Sequence, residues 1–115
     1  MSSFDAFWEY LQKNLKPGTE IRNWTVDKGY LGDVMTIKIV TGPFIEVEVS
    51  SAKNIQRVPR EHFEIVFAVW KDYVAKIRKR SDVRDMTRFS KYIISIIRWS
   101  DREISNSTPK QHREK

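Results

Sequence analysis

Apolar residues open the chain at helical spacing. Phe4, Phe7, Trp8, Leu11 and Leu15 fall at i, i+3, i+4, i+7 and i+11. Ser3 stands ahead of them as a cap, Asp5, Glu9, Gln12 and Lys13 take the wet side, and Pro17-Gly18 closes the helix. The period then shortens to two. "TEIRNWTV" (19–26) reads as a strand with Trp24 and Val26 on one side, and "DKGYLGD" (27–33) as a turn with two glycines. "VMTIKIV" (34–40) and "FIEVEVS" (44–50) read as strands joined by Thr41-Gly42-Pro43. Pairing about Gly42 sets Met35 against Val49, Ile37 against Val47 and Ile39 against Ile45. It also sets Lys38 opposite Glu46 on the other face. Aliphatics inside and opposite charges outside agree on one register. A three-stranded antiparallel meander is expected, with one apolar and one solvated face.

"SSAKNIQRV" (50–58) crosses back over the sheet edge, as a loop or a short strand. Pro59 suits a first helical turn. Phe63, Val66, Phe67, Trp70, Tyr73, Val74 and Ile77 then give the strongest helical period in the chain, with Glu61, Glu64, Asp72 and Lys76 opposite. Ser81 is a candidate cap for the short helix "DVRDM", whose Val83 and Met86 face inward. Thr87-Arg88-Phe89 makes a bend, and Ser90 is a candidate cap for a last helix from Lys91 to about Arg102. The predicted class is α+β: an N-terminal helix, the meander, and a C-terminal tri-helical segment. Residues 1–102 form one domain and the polar residues 103–115 a disordered tail.

On the last helix, Tyr92, Ile93, Ile94, Ile96, Ile97 and Trp99 spread over most of the circle. Lys91, Ser95, Arg98 and Arg102 fall in one narrow stripe. Two accounts fit this seam. A core helix needs some polar edge, which long basic side chains cover with their stems. Alternatively, the seam faces a nucleic-acid groove.

Charge decides where to look. The chain carries +6 overall. Residues 1–58 hold seven basic and seven acidic side chains, whereas 59–115 hold fourteen and eight. Between Lys76 and Lys91 there are seven basic residues against Asp82 and Asp85. Such one-sided charge attracts polyanions. The candidate nucleic-acid-binding residues are Arg78, Lys79, Arg80, Arg84, Arg88, Lys91, Arg98 and Arg102. Arg88 and Lys91 sit where backbone N–H groups at a helix start also favour phosphate. Trp24, Tyr30 and Tyr92 are candidates for stacking on bases of a single strand, against the ordinary alternative of core packing.

Catalytic chemistry finds little footing. With no cysteine, disulfides, thiolate zinc sites and thiol nucleophiles are excluded. His62 and His112 are the only histidines and lack metal-ligand spacing, so His62 reads as structural. Four glycines make neither a dinucleotide nor a P-loop fingerprint. Asp33, Glu46 and Glu48 invite a nuclease reading, but no Lys follows two residues after a strand acid, and a solvated face explains their alternation. No enzyme activity, metal or cofactor is expected. No apolar run approaches the roughly 18 residues of a membrane span, and "MSSFDAFWEYLQKNLK", with Asp5 and Glu9 and no early Lys or Arg, lacks secretory character. A cytoplasmic protein of bacterial style is expected.

The segment "YVAKIRKRSDVRDMTRFSKYIISIIRW" resembles the tri-helical unit of helix-turn-helix and winged-helix-type bacterial proteins, over roughly residues 60–100. It departs from that pattern in its "TRF" bend, which lacks glycine, and in a final helix more apolar than a recognition helix. The whole chain also looks like short products of bacterial mobile gene cassettes, a likeness that implies no activity. The first resemblance implies a DNA or RNA partner met by the C-terminal helices. The alternative expectation is a protein-interaction or small-ligand-binding module, as a homodimer, with no nucleic acid.

Overall fold

The computed structural model describes residues 3–49 and 54–107. Helix α1 (Phe4–Asn14) is capped by Ser3, whose Oγ accepts the Ala6 N–H at 3.1 Å. It buries Phe7, Trp8 and Leu11. Strands β1 (Glu20–Thr25), β2 (Gly29–Val40), β3 (Phe44–Val49) and β4 (Asn54–Pro59) form one antiparallel sheet in sequential order. Four helices follow: α2 (Arg60–Ala68), α3 (Trp70–Val74), α4 (Arg80–Met86) and α5 (Ser90–Ser107). The fold class is α+β.

The sheet gains a fourth strand because residues 54–59 pair along β3, from Val49 opposite Asn54 to Phe44 opposite Pro59. The first turn is shorter than the "DKGYLGD" reading: β2 starts at Gly29, whose φ of 72° favours glycine, so Tyr30 to Asp33 lie within the strand. At the hairpin, Met35–Val49 and Ile37–Val47 pair as expected. A bulge then inserts one residue into β2, setting Ile39 opposite Glu46 and Val40 opposite Ile45. The expected Ile39–Ile45 and Lys38–Glu46 pairs are lost to that extra residue. Lys38 reaches Glu48 at 3.5 Å instead, and Glu46 takes Arg57 at 2.8 Å.

Ile21, Met35, Ile37, Ile45, Val47 and Val58 form the buried sheet face. Two aromatic clusters roof it. Phe4, Phe7 and Trp8 of α1 meet Phe63 and Phe67 of α2 with ring centroids 5.0–5.6 Å apart. Trp24, Trp70 and Tyr73 meet at 5.7–6.5 Å. The Trp8 indole also donates to the Gly42 carbonyl at 2.9 Å, pinning α1 to the hairpin tip.

The long helix predicted over 59–77 is interrupted. The Val69 N–H turns to the Val66 carbonyl at 3.1 Å, tightening one turn between α2 and α3. Helix α3 then stops in a Schellman arrangement, with Lys76 N–H on the Tyr73 carbonyl and Ile77 N–H on the Asp72 carbonyl. Lys76 holds the left-handed position at φ 63°. Val74 and Ile77 are therefore exposed rather than core residues, Ile77 at 75%.

Neither serine caps as expected. Helix α4 begins at Arg80, one residue before Ser81, and Asp82 accepts the Lys79 N–H at 3.0 Å. Ser90 is the first residue of α5, and its hydroxyl is held by Arg80. Helix α5 runs to Ser107, so residues 103–107, placed in the tail by the sequence, are helical. Residues 108–115 lie outside the described residues.

Candidate nucleic-acid interface

The C-terminal cations divide into two groups with different surroundings. The first runs from the end of α3 through α4 to the start of α5. Helix α4 buries Val83 as its inward contact. At 100° per residue, Arg80 and Arg84 then share one flank while Asp82 and Asp85 take the other. The Arg80 guanidinium donates to Ser90 Oγ at 3.0 Å, which brings the start of α4 to the start of α5. Burial holds its pKa below the ordinary arginine value; the nearby Tyr73 hydroxyl opposes this and the Arg84 charge adds to it. An arginine so placed stays charged at neutral pH. Arg88 lies across the Phe89 ring at 4.5 Å. Lys79, Arg84 and Arg88 are exposed, and Arg78 is half-buried with its Nε out of reach of any described acceptor. Among the described residues, none of Arg78, Lys79, Arg80, Arg84 and Arg88 forms an ion pair.

The second group is the polar stripe of α5, and it faces the sheet. Lys91 Nζ lies 2.7 Å from Asp33 Oδ2 on β2. Asn23 of β1 donates to the other oxygen of Asp33 at 3.1 Å. Ser95, 1% exposed, accepts the Trp24 N–H at 3.1 Å and lies 3.4 Å from Asn23 Oδ1. These contacts close a small polar network where α5 covers the outer strand β1. The Lys91 ammonium and its hydrogen bond hold the Asp33 carboxyl below the usual carboxylate range. Further along, Arg98 lies over the Trp24 ring at 4.6 Å, and Arg102 donates to the Tyr30 hydroxyl at 3.1 Å.

Lys91 and Arg98 are thus engaged with the sheet, whereas Arg102 stays exposed beside Tyr30. From Ser90 to Ser100 every residue of α5 is buried or half-buried, so this stretch has no open side to lay into a groove. The physical reason is the strand edge. Its backbone and polar side chains need partners, and the α5 stripe supplies them. The stacking candidates change in the same way. Trp24 is 8% exposed beneath Arg98, Tyr92 is half-buried, and Tyr30 is flanked by Arg22 and Arg102. A groove of about 240 Å³ beside Tyr30 carries Arg22 and Arg102 but also Glu20 and Glu103, so its charge balances.

His62 is hydrogen-bonded to Thr87 Oγ1 at 2.7 Å and meets the Phe89 ring edge-on, which ties α2 to the bend before α5. Among the described residues no group of three or more His, Asp or Glu could hold a metal ion, and no helix is long and apolar enough to cross a membrane. Asn23, Asp33 and Ser95 were not linked by any sequence signal, because their partners lie up to 72 residues away. Arg22 carried no signal beyond its charge. No family model matches the chain, and neither a curated protein nor a solved structure matches it.

Proposed function

We propose that the protein binds nucleic acid without catalysis, through the corner formed by Arg78, Lys79, Arg80, Arg84 and Arg88. One observation carries the reading: five cations within eleven residues of chain have no acidic partner among the described residues. Elsewhere the fold pairs Lys13, Lys38, Arg57, Arg60, Lys76 and Lys91 with carboxylates, and the other described cations without an ion pair are spread over the chain at Lys16, Arg22, Lys28, Lys71, Arg98 and Arg102. Unpaired positive charge gathered at one corner suits a phosphate backbone, which presents regularly spaced anions. Arg80, held by Ser90, meets a phosphate with its geometry already fixed. The interaction is backbone-directed, because among the described residues no open aromatic platform accompanies these cations and the exposed face of α4 sets Asp82 and Asp85 beside Arg84.

Fluorescence anisotropy with duplex and single-stranded oligonucleotides across a salt series tests the reading. Full engagement of five phosphates by a duplex gives a log–log salt slope of about −4.5. Arg84→Ala and Arg88→Ala each reduce that slope by about one. Arg98→Ala, changed at a residue turned onto Trp24, leaves the slope intact. Absent binding at low salt, or a slope indifferent to Arg84 and Arg88, overturns the proposal.

A further inference from the structure

The geometry points to a second site: the cleft between α1, the α2–α3 junction and α5 binds a small organic cation with an apolar body. This inference stands independently of nucleic-acid binding. The cleft has a volume of about 400 Å³, within the range of small-molecule sites. Phe7, Phe67, Trp70 and Ile97 supply apolar wall. Phe7 and Phe67 are stacked with centroids 5.0 Å apart, and Phe7, Trp70 and Ile97 are themselves buried. Walls fixed by core packing hold the space open rather than closing over it.

Charge at the cleft selects the ligand. Asp72 and Asp101 line it together with Lys71, so its local balance is negative on a chain of net +6. Neither carboxylate forms an ion pair among the described residues. The Trp70 indole donates to Asp101 Oδ2 at 2.9 Å, which orients that carboxylate and leaves its other oxygen for a ligand. Aromatic side chains and carboxylates lining one cleft suit an ammonium group attached to a hydrocarbon. The helix break at Val69 matters here. It starts a separate helix, α3, whose Trp70, Lys71 and Asp72 then line the cleft beside Phe67 and Ala68 of α2.

Titration calorimetry and indole N–H NMR with trimethyl(2-phenylethyl)ammonium test the site, with 2-phenylethanol and 3-phenylpropionate as neutral and anionic controls. The ammonium binds and shifts the Trp70 indole resonance. The alcohol binds about tenfold more weakly and the carboxylate more weakly still. Asp72→Asn and Asp101→Asn each weaken the ammonium about threefold or more without changing the alcohol. In Asp101→Asn the side-chain amide oxygen still accepts the indole N–H, so that variant keeps the wall in place. The same variants leave oligonucleotide anisotropy unchanged, which separates this site from the basic corner. No ammonium binding at about 10 mM, equal binding of the alcohol, or indifference to both variants overturns the inference.

Discussion

Ser95 Oγ accepts the backbone N–H of Trp24 at 3.1 Å, joining residues 71 apart in sequence at the edge of the sheet. The hydroxyl is directed to the Lys91 carbonyl at 3.1 Å, with Asn23 Oδ1 3.4 Å away. A small side chain lets α5 approach the strand, and its oxygen satisfies a strand N–H that would otherwise be buried without a partner. Ser95→Ala keeps the approach and removes the acceptor. A loss of about 1–2 kcal/mol is expected in urea denaturation, with fast hydrogen exchange at the Trp24 amide as the local signature.

Lys76 occupies the left-handed position that ends α3, with its amide on the Tyr73 carbonyl. A Cβ is disfavoured there and glycine is not. Lys76→Gly also gives up the long 3.8 Å pair with Asp27, both partners being 63% exposed, which contributes little. A net stabilisation of up to about 1 kcal/mol is expected, read as a raised thermal midpoint.

Asp33 titrates below its ordinary value because Lys91 and Asn23 donate to its carboxylate. A carboxyl depressed in the folded state contributes stability that is present above its unfolded pKa, about 4. That stability is lost as pH falls through the lower folded value. Asp33→Asn therefore costs about 0.5–1 kcal/mol at pH 7 and nothing at the acid end. Denaturation curves for both proteins should converge as the pH is lowered. Parallel curves would place the effect outside this carboxylate.

Glu46 is 9% exposed although it lies on the outer sheet face. Arg57 covers it, with Nε 2.9 Å and Nη2 2.8 Å from Oε2, and stacks on Phe44 at 4.3 Å. Arg57→Ala removes both the pair and the cover over Glu46, and the carboxylate then opens to water, so a cost of about 0.5–1 kcal/mol is expected. The double variant Arg57→Ala/Glu46→Gln loses little more than Arg57→Ala alone. Chemical denaturation of the four proteins in the cycle measures the coupling.

Local pattern located the elements where one face is buried and the period is clean. Phe4 to Leu15 announced α1, and the Met35–Val49 and Ile37–Val47 pairs announced the hairpin, since spacing alone determines which side chains share a face. The bulge beside Lys38 left no trace, because both Ile39 and Val40 are apolar and either could face inward. The break at Val69 was equally silent. Phe63, Val66, Trp70 and Tyr73 keep the apolar stripe across it and remain buried. At the candidate interface the cations were legible as charge, but their partners were not. Asp33, Trp24 and Tyr30 meet Lys91, Arg98 and Arg102 only through the packing of α5 on the sheet edge, a tertiary relationship with no local signature.

The bond from Arg80 to Ser90 has a consequence for recognition at the basic corner. A guanidinium has five N–H donors, and Ser90 takes one, so the rest can turn outward from an arm that no longer swings. Immobilising such a side chain on association ordinarily costs about 0.5–1.5 kcal/mol. Folding has already frozen this one. Ser90→Ala would thus soften polyanion binding without altering a single charge, leaving the ionic-strength response untouched while the affinity falls.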